Sequence, residues 1–219
     1  MDLNTHIDHT LLKPSATENQ IINLCNEAIV FNFYSVCVNS CYVAIAKQAL
    51  SHTPVKICSV VGFPLGAMST EAKVYEARRA VNDGADEIDM VINIGLLKSR
   101  NYVAVYKDII EVKSAIGNKP LKVILEISEL SKNEIVKACE ICVDAQADFV
   151  KTSTGFSKSG ATITAVKIIK KTLKGKAKIK ASGGISDYQT ACKYLEVGVD
   201  RIGTSSGVEM MNDKLSSVA

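Results

Sequence analysis

Phe149-Val150-Lys151-Thr152-Ser153-Thr154-Gly155-Phe156 is a short β-branched run that ends in a glycine turn and carries a lysine near its middle. It reads as a buried strand. An ammonium there is costly to desolvate, so a chain that keeps one usually uses it. About thirty residues on, Ile179-Lys180-Ala181-Ser182-Gly183-Gly184-Ile185 repeats the arrangement. Working outward from this pair, further β-branched runs lie near Ile7-Asp8-His9, Ser35-Val36-Cys37-Val38, Lys56 to Val61, Glu87 to Ile92, Leu121 to Glu126 and Arg201-Ile202-Gly203. Their spacing of roughly 20 to 35 residues is that of a βα unit. The intervening segments have helical periodicity, notably Thr70 to Val81, Ser131 to Gln146 and Ile163 to Leu173, and Ser15-Ala16-Thr17-Glu18 resembles a capping box ahead of Ile21. Eight such units predict an α/β chain folded as a single (β/α)8 barrel, a TIM barrel, over residues 1–219, with 212–219 a flexible tail. The rival is an open doubly wound sheet. It wants a glycine-rich turn after the first strand, and His9-Thr10-Leu11-Leu12-Lys13-Pro14 is nothing like one.

The 219 residues are 47% apolar and 22% charged, with a formal net charge of +3, proportions that suit a soluble globular protein with a sizeable core. The lysines are scattered, so no nucleic-acid partner is expected. No apolar run reaches the ~18 residues of a membrane span, and Met1 to Asp8 lacks the regions of a secretory signal, so neither membrane nor export is expected. Seven cysteines, an odd number, sit in apolar patterns, as free thiols in a cytoplasmic protein would. Cys139-Glu140-Ile141-Cys142 falls mid-helix and reads as two packed thiols. His6 and His9 have no partners at ligand spacing, so no metal or other cofactor is expected.

Alternate side chains of a barrel strand face the interior and the helix layer. Ile179 and Ala181 suit the helix layer, which turns Lys178, Lys180 and Ser182 inward. The same alternation sends in Phe149, Lys151 and Ser153, then Asp89, Val91 and Asn93, then Lys122, Ile124 and Glu126. The interior so gains Asp89, Lys122, Glu126, Lys151 and Lys180, a cluster of both signs as buried charges require. These groups either only pair with one another, or one amine is held neutral by the charge of the other, which is Schiff-base chemistry. Lys151 and Lys180 lie near the C-terminal ends of their strands, where barrel active sites sit, and this favours chemistry. A lysine in water, with a pKa of about 10.4, is neutral in only about one molecule in 2,500 at pH 7, so a tuning neighbour matters.

Ser182-Gly183-Gly184-Ile185-Ser186 closes the seventh strand, and Gly203-Thr204-Ser205-Ser206-Gly207 closes the eighth and opens a helix. Each alone reads as a turn or cap. Together, at the strands where barrels commonly hold phosphate, they point to a phosphate site. Cys37 faces the interior as a packed thiol.

Ile7-Asp8-His9-Thr10-Leu11-Leu12-Lys13, Val60-Val61-Gly62-Phe63-Pro64-Leu65-Gly66, Glu87 to Asn93, Val150-Lys151-Thr152-Ser153-Thr154-Gly155-Phe156, Lys180 to Ile185 and Arg201 to Ser206 together resemble the deoxyribose-phosphate aldolase family, in order and over nearly the whole chain. The resemblance implies a class I aldolase on a (β/α)8 barrel that reversibly cleaves 2-deoxy-D-ribose 5-phosphate to D-glyceraldehyde 3-phosphate and acetaldehyde, in deoxyribonucleoside catabolism. It makes Lys151 the Schiff-base lysine, Lys180 the neighbouring proton donor/acceptor that lowers the lysine's pKa, and Asp89 the general acid/base. Asp8, Cys37 and Thr154 then fall near the substrate, and Gly183, Gly184, Gly203, Ser205 and Ser206 near its phosphate. A homo-oligomer, dimer or tetramer, is implied as well. Some members use a tyrosine in a C-terminal tail for proton transfer, and Met211 to Ala219 contains none. The alternatives are another phosphosugar barrel enzyme, an isomerase or transaldolase-like transferase, and a non-catalytic phosphosugar-binding barrel.

Overall fold

The computed structural model describes residues 2–216. Eight strands, β1 (Ile7–Leu11), β2 (Ser35–Val38), β3 (Lys56–Val61), β4 (Glu87–Val91), β5 (Leu121–Ile124), β6 (Phe149–Lys151), β7 (Lys178–Ser182) and β8 (Arg201–Thr204), pair in parallel in chain order, and β1 closes the barrel against β8. The covering helices are α1 (Glu18–Val30), α2 (Val43–Ala49), α3 (Thr70–Asn82), α4 (Ile94–Lys98), α5 (Tyr102–Ala115), α6 (Lys132–Asp144), α7 (Ile163–Leu173), α8 (Tyr188–Glu196) and α9 (Gly207–Ser216). The (β/α)8 expectation is borne out and the open sheet is excluded. No helix among the described residues is long and apolar enough to cross a membrane.

Local chemistry sets the helix starts. Ser131 caps α6, with its hydroxyl accepting from the Glu134 N–H while the Glu134 carboxylate accepts from the Ser131 N–H at 2.7 Å. At α1 the cap differs from the expected Ser15–Glu18 box. Thr17 is the cap, and the Gln20 side-chain oxygen accepts from the Thr17 N–H at 2.9 Å, because the helix begins two residues later than that box requires. The tail expected from residue 212 also differs: α9 continues to Ser216, and residues 217–219 lie outside the described residues.

The parity argument holds along the middle of β4 to β7, although Lys178 at the start of β7 is exposed. Ile88, Met90, Ile92, Leu121, Val123, Leu125, Val150, Ile179 and Ala181 all join the large apolar core between strands and helices. The barrel interior is instead filled by polar groups, plus a small cluster of Leu12, Cys37, Cys58 and Val60. Register aligns Asp89 with Lys122, Lys151 with Lys180 and Lys180 with Arg201.

A buried ion pair outside the barrel steadies the end of β4. Lys73 of α3 is fully buried, donates to the Val91 carbonyl at 2.9 Å and meets Asp108 of α5 at 2.5 Å. Asp108 also accepts from the Thr70 hydroxyl at 3.0 Å. Removing one member of such a pair strands the other charge, so Lys73→Met should destabilise the protein by about 3–5 kcal/mol. Urea unfolding reads that loss directly. A loss no larger than that of an exposed control such as Lys167→Met would show that the pair contributes nothing to the fold.

Candidate active site

The charged cluster forms where parity places it. Asp89 is fully buried and meets three ammonium groups. Lys122 lies 2.8 Å from its Oδ1, and Lys151 and Lys180 each lie 2.9 Å from its Oδ2. Lys180 also pairs with Asp8, and Lys122 pairs with Glu87 at 2.7 Å. Arg201 completes the interior network, 2.7 Å from Asp8 and 3.5 Å from Glu87, with its guanidinium over the Tyr34 ring.

These contacts fix the protonation states around Lys151. Burial alone would push the Asp89 carboxyl up, but Lys122, Lys151 and Lys180 outweigh it and hold Asp89 well below the ordinary carboxylate range. Asp8 is likewise held down, with Lys180 and then Arg201 overcoming burial. Burial disfavours charge on Lys180, yet Asp8 and Asp89 outweigh it and raise its pKa, so Lys180 stays an ammonium. Lys122 is raised in the same way, chiefly by Asp89 against burial. The ion-paired network thus joins four cations, Lys122, Lys151, Lys180 and Arg201, to three carboxylates, Asp8, Glu87 and Asp89. One positive charge is in surplus. Lys122 and Lys180 each touch two carboxylates, whereas Lys151 touches only Asp89, through an oxygen it shares with Lys180.

Glu126 departs from expectation. β5 ends at Ile124, Glu126 takes a left-handed conformation, φ 57°, and its carboxylate forms no ion pair with the lysine cluster among the described residues. Its Oε2 accepts from the hydroxyl of Thr154 instead, and burial pushes its carboxyl up. Glu87 and Arg201 belong to the cluster and were not singled out in the sequence.

Lys151 opens into a cavity of about 440 Å³ above the cluster. Thr154 lines it beside Lys151, as do Gly183 and Gly184 after β7, and Gly203, Ser205 and Ser206 at the end of β8. Gly183 has φ +85°, and a Cβ on the facing Gly160 would fall 1.9 Å from the Gly183 carbonyl oxygen, so this wall tolerates no side chain there. Ser206 leads into α9, whose first N–H groups lack helical partners. Asp8, Asp89, Lys180 and Cys37 lie outside the cavity lining.

Cys37 faces Cys58. A hydrogen bond between them, with Lys180 and Lys151 nearby, brings the Cys37 thiol down to about 7 against the effect of burial, while burial pushes Cys58 up. Cys37, Cys58 and Asp89 bring metal-ligand types of atom within 4.8 Å of one another, but the three ammonium groups on Asp89 oppose a cation there. His9 pairs with Glu27 at 2.6 Å, and His6 meets the Asp200 carbonyl at 3.0 Å. Cys139 and Cys142 are buried free thiols in α6, and burial pushes Cys139 up to about 12.

Known proteins are similar to this chain in sequence and in fold. The description of DeoC/LacD family aldolases matches residues 3–209. The deoxyribose-phosphate aldolase of Finegoldia magna is 54% identical over 211 residues, 96% of this chain and 99% of that protein. That of Mycoplasma capricolum is 52% identical over 209 residues, 95% of this chain and 94% of that protein. The tetrameric structure of deoxyribose phosphate aldolase from Aeropyrum pernix superimposes with a TM-score of 0.89 at 33% identity, over 99% of this chain and 92% of that one. On a family description that spans the barrel from before its first strand to past its last, and on relatives more than half identical over nearly their full length, the chain belongs to the DeoC/LacD family of aldolases.

Proposed function

We propose that the chain reversibly cleaves 2-deoxy-D-ribose 5-phosphate to D-glyceraldehyde 3-phosphate and acetaldehyde through a Schiff base on Lys151. The observation that carries this reading is the charge surplus. Of the four interior cations, Lys151 is the lysine with a single carboxylate contact and the one that reaches the cavity. Losing its proton leaves the remaining interior charges balanced, so neutralisation is least costly there.

The reaction follows from the neighbours. Lys151, hydrogen-bonded to the ionised Asp89 at 2.9 Å, sheds its proton through that contact to water in the cavity, so Asp89 relays the proton without keeping it. The free amine attacks C1 of the open-chain sugar aldehyde, and protons returned through Asp89 expel the carbinolamine hydroxyl as water. The iminium then draws the electron pair of the C2–C3 bond. The C3 hydroxyl passes its proton through water to Asp89, and C3 leaves as the aldehyde of glyceraldehyde phosphate. The enamine left on Lys151 takes that proton back at C2, and water hydrolyses the imine to acetaldehyde and the free amine. Lys180 remains charged throughout and keeps the next ammonium costly to form. Thr154, held by Glu126, sits where the sugar hydroxyls pass. Asp8 and Cys37 support the lysines from below. An isomerase needs no such lysine, and a binding barrel has no use for one.

Gly183, Gly184, Gly203, Ser205 and Ser206 receive the phosphate, with the N-terminus of α9 behind them. Ser206→Glu sets a carboxylate against that phosphate and should raise KM for the phosphorylated sugar at least about tenfold, with a much smaller effect on unphosphorylated 2-deoxyribose. Equal losses on both sugars in a folded variant would show that the phosphate binds elsewhere. The chain is proposed to work as a homo-oligomer in the cytoplasm, in deoxyribonucleoside catabolism. The tetramer from A. pernix supports the first point, and the seven unpaired thiols support the second. The direct test of the reading is release of acetaldehyde and triose phosphate from 2-deoxy-D-ribose 5-phosphate. No release above the uncatalysed rate would overturn it.

A further inference from the structure

We propose that Lys13, on the loop between β1 and α1, is the cation that reads the substrate's phosphate and so sets the preference for phosphorylated over free sugar. This rests on the phosphosugar-cleaving role proposed above. A phosphate monoester carries about −1.5 to −2 charges at neutral pH, and a helix N-terminus supplies roughly half a positive charge. The glycine loops add hydroxyls and N–H groups but no charge. Asp187, the acidic residue that follows them, is turned away to cap α8 through the Thr190 N–H at 2.8 Å. Among the residues lining the cavity there is no carboxylate, and the cations are Lys151 and Lys13. Lys151 is committed to C1 of the sugar, at the opposite end from the phosphate on C5. That leaves Lys13.

The loop holds Lys13 in place for this task. β1 pairs with β8, His9 opposite Thr204, so the segments that follow leave the barrel side by side: Leu11 to Lys13 on one, Ser205 and Ser206 on the other. Leu12 is buried in the interior cluster, and its carbonyl accepts from Asn39 at 3.3 Å. The Ala16 N–H returns to the Lys13 carbonyl at 3.0 Å, and Tyr42 binds the Ala16 carbonyl at 2.5 Å. Pro14 restricts Lys13 to extended backbone. The backbone is therefore fixed while the side chain is exposed, and Lys13 forms no ion pair among the described residues. Lys158, a cation of the loop after β6, is engaged with Glu129 at 3.2 Å.

The test compares Lys13→Met, Lys13→Arg and the unchanged protein on 2-deoxy-D-ribose 5-phosphate and on 2-deoxyribose, with inorganic phosphate as a competitor against the free sugar. Losing a charged contact of this kind is worth a factor of about ten to a hundred. Lys13→Met is therefore expected to raise KM for the phosphorylated sugar by that factor, with kcat nearly kept, and to weaken inhibition by inorganic phosphate in parallel. Lys13→Arg should restore most of both, since the role needs a cation rather than a proton. If the unchanged protein favours the phosphorylated sugar and Lys13→Met keeps that preference and the same phosphate inhibition, the assignment of Lys13 is overturned while the reaction stands. If the unchanged protein cleaves neither sugar, the reaction fails, and the assignment of Lys13 fails with it.

Discussion

Acetaldehyde and borohydride are expected to leave a two-carbon alkyl group on Lys151 and on no other interior lysine. The expectation comes from contacts rather than from sequence order. Lys122 and Lys180 have no exposed surface and are each clamped by two carboxylates, whereas Lys151 touches one and faces the cavity. Borohydride reduces the imine to a stable secondary amine, so peptide mass mapping locates the label. Label on Lys180, or none, would remove Lys151 from its role. Lys151→Arg keeps the charge and the Asp89 contact but cannot shed its proton at any working pH. It should lose at least about ten-thousandfold in turnover, the scale seen when a nucleophile is deleted. A merely structural cation would survive that exchange, so measurable turnover by the arginine variant would count against the imine.

Much of this site is legible in the sequence because the strands are buried on both faces. In β4 to β7 every second residue is apolar, Ile88 and Met90, Leu121 and Val123, Val150, Ile179 and Ala181, and the residues between them must point inward. That alternation gives Asp89, Lys122, Lys151 and Lys180 from pattern alone. It fails at strand ends. Glu87 and Arg201 are the first residues of β4 and β8, where a polar side chain reads as a flank, yet both complete the interior network. It fails again at Glu126, because a single left-handed residue past the end of β5 cancels the parity that the strand had set. Lys73 and Asp108 were invisible for another reason. They sit on different helices, 35 residues apart, and each looks like one more surface charge until the helices pack. Lys13 was legible only as a negative: its segment has no glycine-rich turn, and its place beside the cavity depends on the closure of β1 against β8.

Lys180→Met is expected to slow turnover at pH 7 by about a hundredfold and to move the acidic limb of the pH–rate profile upward by about two units. Lys151 and Lys180 both lie 2.9 Å from the same Asp89 oxygen, so their nitrogens can be no further apart than twice that distance. Two charges about 5 Å apart, at the effective dielectric of about 20 that suits protein interiors, repel by roughly 3 kcal/mol, or about two pH units. The interior count gives the same sign. With Lys180 the cations exceed the carboxylates by one and Lys151 can shed its proton. Without it the two are equal, and a neutral Lys151 would leave a net negative interior. Asp8 provides the control. It loses the Lys180 contact in this variant but keeps Arg201 at 2.7 Å, and circular dichroism checks that the barrel survives. Adding Asp8→Asn to Lys180→Met removes one carboxylate and restores the surplus, so the acidic limb should move back toward its original position. A slow single variant whose acidic limb stays in place would mean that Lys180 passes protons without tuning Lys151. A double variant no better than the single would mean that the Lys151 contact geometry, rather than the interior charge balance, sets the reactive amine.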